Sequence, residues 1–214
     1  MELKGKKIVF LGDSITEGAG ASSKEKCFVS LVGERGEFRE CKNYGIGGTR
    51  FAKQKTPSQK ARHDLDFCGR IDDMDEDADI IVMFGGTNDY GHGDAPIGTF
   101  EDRDLYTFYG ACHHLMTRLH ERYPGKPKLI LTPLHRAVEE RQKDGETICL
   151  RTYVNIIREM AEYYSLPILD LYAESGFQPK LSIMREKFFP DGLHPNDAGY
   201  DILADLVLAK LRSM

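Results

Sequence analysis

A chain of 214 residues with 41% hydrophobic and 29% charged side chains carries enough apolar material for one buried core and too much for a disordered polymer. Its formal charge of -5 offers no general attraction to phosphate backbones, which argues against a nucleic-acid partner. No apolar run approaches the roughly 20 residues that cross a bilayer, which argues against a membrane. Residues 1–7 are charged and lead straight into a strand pattern with no hydrophobic leader, so a cytoplasmic protein with a single domain over residues 1–214 is expected. Five cysteines scattered without a C-x-x-C pair fit reduced, mostly buried thiols rather than a disulfide framework or a zinc ribbon.

From the N-terminus onward, short apolar runs of strand length alternate with longer stretches of helical periodicity, the pattern of a parallel α/β sheet. The first strand is expected at residues 7–11, an aliphatic run of the kind buried on both faces. It stops at Gly12, and the segment GDSITEG (residues 12–18) lifts Ser14 to the strand's tip. Three readings of that serine compete. Ser14-Ile15-Thr16-Glu17 has the form of a helix capping box, although Gly18, Gly20 and the serines after them make a poor helix. A glycine-rich turn after a first strand can also cradle phosphate, yet the lysine of a P-loop and the G-x-G-x-x-G run are both missing. The third reading is a catalytic nucleophile, which needs a base, an orienting carboxylate and an oxyanion hole.

A second strand at residues 39–44 runs into NYGIGGT (residues 43–49), whose exposed glycine N–H groups, Gly48 foremost, can donate to an oxyanion. Arg50, Lys53, Lys55, Lys60 and Arg62 follow as a basic stretch without interleaved aromatics, read as a solvated face set against the acidic run of residues 72–79. Within that run Asp73, Asp75, Asp77 and Asp79 imitate an EF-hand loop, but Ala78 and Phe84 stand where Gly and Glu belong, so no metal is expected. The third strand, residues 79–84, exits into FGGTND (residues 84–89), where the side-chain amide of Asn88 is another neutral donor. Phe108, Cys112, Leu115, Met116 and Leu119 then repeat at helical spacing as a core face. A fourth strand at residues 128–131, a helix through Tyr153, Ile157 and Met160, and a fifth strand at residues 167–171 continue the alternation. Polar loops at residues 89–103, 134–146 and 174–195 follow strand exits, where open α/β sheets bind their ligands. The last loop ends in DGLHPN (residues 191–196), with Asp191 three residues ahead of His194 and Pro195 stiffening the turn before a final helix. A tight turn at that spacing can bring the carboxylate against one imidazole nitrogen while the other points outward. Most of the other histidines (His63, His92, His113, His114, His120 and His135) read as ordinary surface residues.

With these pieces in order, the chain resembles the GDSL esterase/lipase family, also called SGNH hydrolases. GDSITEG is similar to the first block of that family with its nucleophilic serine, NYGIGG to the second with its oxyanion glycine, GGTND to the third with its oxyanion asparagine, and DGLHPN to the fifth with its aspartate and histidine. The G-x-S-x-G motif of the other large serine esterase fold is absent, since Thr16 stands where its second glycine would be. The resemblance implies that Ser14, Asp191 and His194 are catalytic and that the N–H groups of Ser14 and Gly48, with the amide of Asn88, form the oxyanion hole. It implies a three-layer α/β/α sandwich, flavodoxin-like, with a five-stranded parallel sheet in the order 2-1-3-4-5. No organic cofactor is expected.

The expected function is a serine hydrolase that cleaves carboxylic esters through an acyl-enzyme, with a short acyl group, acetyl foremost, on a small polar or carbohydrate alcohol. The loops bring Tyr90, His92, Asp94, Arg103, His135, Arg136, Lys180 and Arg185 together with Phe100, Phe177, Phe188 and Phe189 as an expected mixed lining. Such a lining suits sugar rings better than a long acyl chain. Thioesterase or lysophospholipase activity, which the family also includes, is the alternative; a non-catalytic flavodoxin-like module that binds a small ligand is the reading from another class. The natural substrate and the oligomeric state stay open.

Overall fold

In the computed structural model, which describes residues 1–143 and 145–214, the most apolar strands take the centre of a parallel sheet. β1 (Lys7–Gly12) is buried along its whole length and pairs with β2 (Glu40–Gly45) on one side and β3 (Ile80–Phe84) on the other. β4 (Lys128–Leu131) lies beside β3. β5 (Glu140–Lys143) and β6 (Glu146–Cys149) form a separate antiparallel hairpin, and β7 (Ile168–Leu169) completes the main sheet against β4. The order β2-β1-β3-β4-β7 is the expected flavodoxin-like one, with the hairpin inserted before the fifth parallel strand.

Nine helices among the described residues surround the sheet: α1 (Ser14–Glu17), α2 (Phe28–Arg35), α3 (Phe67–Arg70), α4 (Thr87–His92), α5 (Phe108–Arg122), α6 (Leu150–Tyr163), α7 (Leu171–Glu174), α8 (Ser182–Phe188) and α9 (Asp197–Ser213). Successive side chains of a strand point to opposite faces, and the central strands divide accordingly. Val9, Leu11, Ile81 and Met83 pack with α5 and α6, whereas Ile8, Phe10, Ile80 and Val82 pack with α2 and α9. Both faces being covered, the strands have no use for polar alternation, which is why their sequences are continuous apolar runs. The register sets Gly12 level with Gly45 of β2 and with Phe84 of β3. Three chain exits therefore leave the sheet side by side.

The structure departs from the expected elements in several places, among them α8 (Ser182–Phe188), which lies inside the expected loop of residues 174–195. Residues 134–146, read as a loop, contain β5 and the start of β6; Glu140, Arg141 and Gln142 lack the apolar alternation that marks a strand. The fifth sheet strand is two residues long because Asp170 turns away to cap α7, accepting from Ala173 N. The acidic run of residues 72–79 does not face the basic stretch of residues 50–62. Its partners are Lys7, which reaches Asp75 and Asp77 at 2.5 and 2.6 Å, Arg39 on Asp79, and Arg118 on Asp72. All five cysteines are free thiols, and Cys27, Cys68 and Cys112 are buried. Among the described residues no helix is long and apolar enough to cross a membrane.

Candidate active site

Ser14 opens α1, a single turn at the C-terminal end of β1. The capping that GDSITEG suggests for the serine belongs instead to Asp13, whose carboxylate accepts from Ile15 N at 3.0 Å. The Ser14 hydroxyl is thereby released for another partner. At the first helical position its N–H has no carbonyl one turn back, and it finds no acceptor among the described residues. The turn is fastened from outside: the Tyr200 hydroxyl of α9 lies 2.6 Å from Ala19 O, and Asn43 of β2 donates to Thr16 O at 2.6 Å.

His194 completes a chain of contacts with that hydroxyl. Its Nε2 stands 2.9 Å from Ser14 Oγ and its Nδ1 stands 2.6 Å from Asp191 Oδ2. The other carboxylate oxygen accepts from Leu193 N at 2.8 Å and from His194 N at 2.7 Å. Burial works to raise the Asp191 carboxyl, but the His194 ring and the two amides outweigh it and hold the group below the ordinary carboxylate value. The turn is pinned by Ala137 N, which donates to Gly192 O at 2.7 Å, and by Asn196, which caps α9 through Gly199 N.

The other two exits contribute donors. Gly48 has a left-handed φ of 82°, and the space a Cβ would take there is filled by the His63 ring; only glycine fits. Its N–H has no acceptor among the described residues. Glu17 lashes this turn to α1, accepting from Gly47 N at 2.7 Å and from Arg62 at 2.6 Å. Asn88 lies in the first turn of α4 and gives one amide proton to Thr49 O at 3.0 Å, so its second N–H is available.

Arg70 was not singled out by the sequence, yet it joins the exits together. Its buried guanidinium donates to Tyr44 O at 2.6 Å, Gly12 O at 3.2 Å, Leu65 O at 2.8 Å and Thr49 Oγ1 at 2.9 Å. It thus ties the ends of β1 and β2 to the turn that carries Gly48. Burial with incomplete charge compensation brings its pKa down to about 10. A lone arginine on a one-turn helix carries no sequence signal for this task.

Ser14, Gly48, Asn88 and His194 line one cleft of about 330 Å3, and Asp191 stands behind the histidine. None of the twelve side chains expected from the loops lines it. Tyr90, Phe177 and Phe189 are buried in the core, Phe100 packs on Tyr109 and Tyr163, and His135 and Lys180 are both engaged by Glu139. The lining comes instead from the stretch read as a solvated basic face: Lys60, Arg62 and His63 border the cleft. The physical reason is Arg50, which is 3% exposed and draws this segment inward by pairing with Asp64 at 2.7 Å. His63 is therefore not an ordinary surface histidine, nor is His113, which is buried between Tyr164 and Phe100 O.

Two carboxylates lie behind the site. Burial pushes Asp13 up to about 7 and Asp89 up to about 6, the latter although it accepts from Phe51 N and Ala52 N at 3.0 Å each. For an acid whose folded pKa lies above its ordinary value of 3.8, the folded state holds a proton that the unfolded chain has lost. Stability therefore falls as pH rises from about 4 to about 7, by about 1.4 kcal/mol per unit of separation. Asp13→Asn keeps an oxygen for Ile15 N and cannot ionise. Its melting temperature relative to wild type is expected to rise between pH 4 and pH 8; a pH-independent difference would show that Asp13 ionises freely in the fold.

Comparison with known proteins agrees with this architecture. A protein of known structure from Lactobacillus plantarum is 29% identical, with a TM-score of 0.84 and 98% of both chains covered. A two-domain esterase active on acetylated mannans shares the fold at 21% identity and a TM-score of 0.63, over 99% of this chain and 50% of that one. An acetylxylan esterase of Xylanibacter ruminicola is 23% identical over 223 residues, covering 96% of this chain, which spans only 43% of that relative's length. The profile of the GDSL-like lipase/acylhydrolase family matches residues 10–202, from β1 through the strand exits to α9, and the chain therefore belongs to that family.

Proposed function

We propose that the protein hydrolyses short-chain carboxylic esters, acetyl esters of small polar or carbohydrate alcohols foremost, through an acyl-enzyme on Ser14. The observation that carries this reading is the unbroken chain from Ser14 Oγ to His194 to Asp191, at 2.9 and 2.6 Å. Ser14 Oγ attacks the ester carbonyl while His194 Nε2 takes its proton. Asp191 accepts from Nδ1 and stabilises the imidazolium. The N–H groups of Ser14 and Gly48 and the free amide proton of Asn88 hold the tetrahedral oxyanion. His194 then returns the proton to the leaving alcohol, and water enters by the same path to release the acid.

A short acyl group is supported by the cleft. Of its lining only Ala19 and Leu193 are aliphatic, and its volume sits at the lower end for ligand pockets. Each methylene of a longer chain left in water forgoes about 0.8 kcal/mol. The names of the acetylxylan and acetylated-mannan esterases that the chain resembles point the same way. The test is kcat/KM along p-nitrophenyl esters from acetate to palmitate. A maximum at acetate to butyrate is expected, and a steady rise to octanoate and beyond would move the assignment to a lipase or thioesterase.

Asn88→Ala is expected to lower kcat about 10²–10³-fold with little change in KM, as for the loss of one oxyanion donor. Steady-state kinetics on p-nitrophenyl acetate check this. A large KM effect at unchanged kcat would make Asn88 a ground-state binding residue.

A further inference from the structure

His63 lies on a single 3-10 turn, Ala61–Asp64, and takes no part in the chemistry above. Its ring nonetheless occupies the space beside Gly48 where a Cβ would stand, so the imidazole packs on the residue proposed above to donate its N–H to the oxyanion. The turn that carries the ring is held from behind. His63 N donates to Lys60 O at 2.9 Å, Arg50 donates to His63 O at 3.1 Å, and the ring packs against His92 with centroids 5.2 Å apart. Arg50 also reaches His92 Nδ1 at 3.3 Å, so one buried guanidinium holds both the His63 backbone and the His92 ring against which the His63 ring packs.

On its front side the same ring is open. Neither ring nitrogen has a hydrogen-bond partner among the described residues, and neither is sealed from solvent. The ring lines the cleft beside Ser14, Asn88 and His194. Burial first, then the charges of Lys60, Arg50 and Arg62, lower its pKa. At neutral pH it thus offers one N–H donor and one bare acceptor nitrogen. A hydroxyl satisfies either of these, and a vicinal pair can satisfy both.

We propose that His63 is a specificity residue that hydrogen-bonds a free hydroxyl next to the scissile ester, so that the cleft selects partly acylated polyols over esters of alcohols without further hydroxyls. Its place beside Gly48 sets the ring next to the position proposed for the reacting carbonyl, so the hydroxyl it meets is one close to the scissile ester. This rests on the reading of Ser14 as nucleophile.

The test compares kcat/KM for a methyl xyloside bearing one acetyl group beside a free hydroxyl with kcat/KM for p-nitrophenyl acetate, which has no hydroxyl. His63→Phe keeps the ring contact with Gly48 and His92 but loses both nitrogens; His63→Gln keeps hydrogen-bonding capacity. In the Phe variant the ratio of the two constants is expected to fall about tenfold, mainly through KM on the xyloside, as for a neutral hydrogen bond, with recovery in the Gln variant. An unchanged ratio in the Phe variant, a fall of the same size in the Gln variant, or a wild type active only on p-nitrophenyl acetate overturns the assignment of His63 alone. A wild type that hydrolyses neither ester overturns the esterase reading and this inference together.

Discussion

Ser14→Ala and His194→Ala are each expected to lower kcat on p-nitrophenyl acetate by about 10⁵–10⁶-fold, with the double variant no worse than either single one. The non-additivity follows from the geometry. The Ser14 hydroxyl is a weak nucleophile unless a base takes its proton, and its only hydrogen-bond partner among the described residues is His194 Nε2 at 2.9 Å. Either deletion removes the same proton transfer. A residual rate of about 10³–10⁴ over water should survive, because the donors at Ser14 N, Gly48 N and Asn88 are untouched. Stability should change little: truncating Ser14 leaves Nε2 facing an open cleft rather than a sealed core, so no buried polar group is orphaned. Fluorophosphonate labelling gives an independent readout, with wild type labelled and both variants silent. Activity within tenfold of wild type in either variant would remove the triad from the mechanism.

How much of this site could be read from the chain depends on how local each part is. The exits of β1, β2 and β3 are contiguous glycine-rich segments at the ends of apolar runs, and the pairing of Asp191 with His194 is closed within a four-residue turn. Sequence pattern reports such features because the residues that define them are neighbours in the chain. Arg70, Glu17 and His63 are different. Each acts on a segment brought to it by tertiary packing: Arg70 on carbonyls of β1 and β2, Glu17 on the Gly47 peptide, His63 on Gly48. No spacing rule encodes those meetings. The expected lining failed for a related reason. Phe177 and Phe189 lie in a segment that follows a strand exit, but the segment folds its aromatics inward as part of the layer under α9. A loop position says where the backbone runs and not which way an apolar ring turns, and burial decides the latter. The basic stretch was misread in the opposite sense, because five cations in sequence look solvated until one of them, Arg50, is found buried with Asp64 and pulling its neighbours to the cleft.

Asp191→Asn is expected to cost about 10⁴-fold in kcat, and to be more damaging than Asp191→Ala. The local hydrogen bonds force this order. Oδ1 sits between two fixed donors, Leu193 N at 2.8 Å and His194 N at 2.7 Å. In an asparagine the carbonyl oxygen must occupy that position, since the amide nitrogen would place donor against donor. The NH2 group is then left facing His194 Nδ1, where the carboxylate Oδ2 stands at 2.6 Å. Nδ1 must become the acceptor, so the ring carries its proton on Nε2, and that proton points at Ser14 Oγ. The histidine is locked into the tautomer that cannot act as a base. Alanine removes the carboxylate without imposing a tautomer, so a fraction of the rings keeps a bare Nε2 and some general-base catalysis persists. The comparison needs both variants on p-nitrophenyl acetate, with melting temperatures to confirm that the 191–196 turn has kept its fold. Equal losses in the two variants would place the whole effect of Asp191 in charge stabilisation of the imidazolium rather than in tautomer control. An Asn variant with more than a tenth of wild-type activity would remove Asp191 from the catalytic chain altogether.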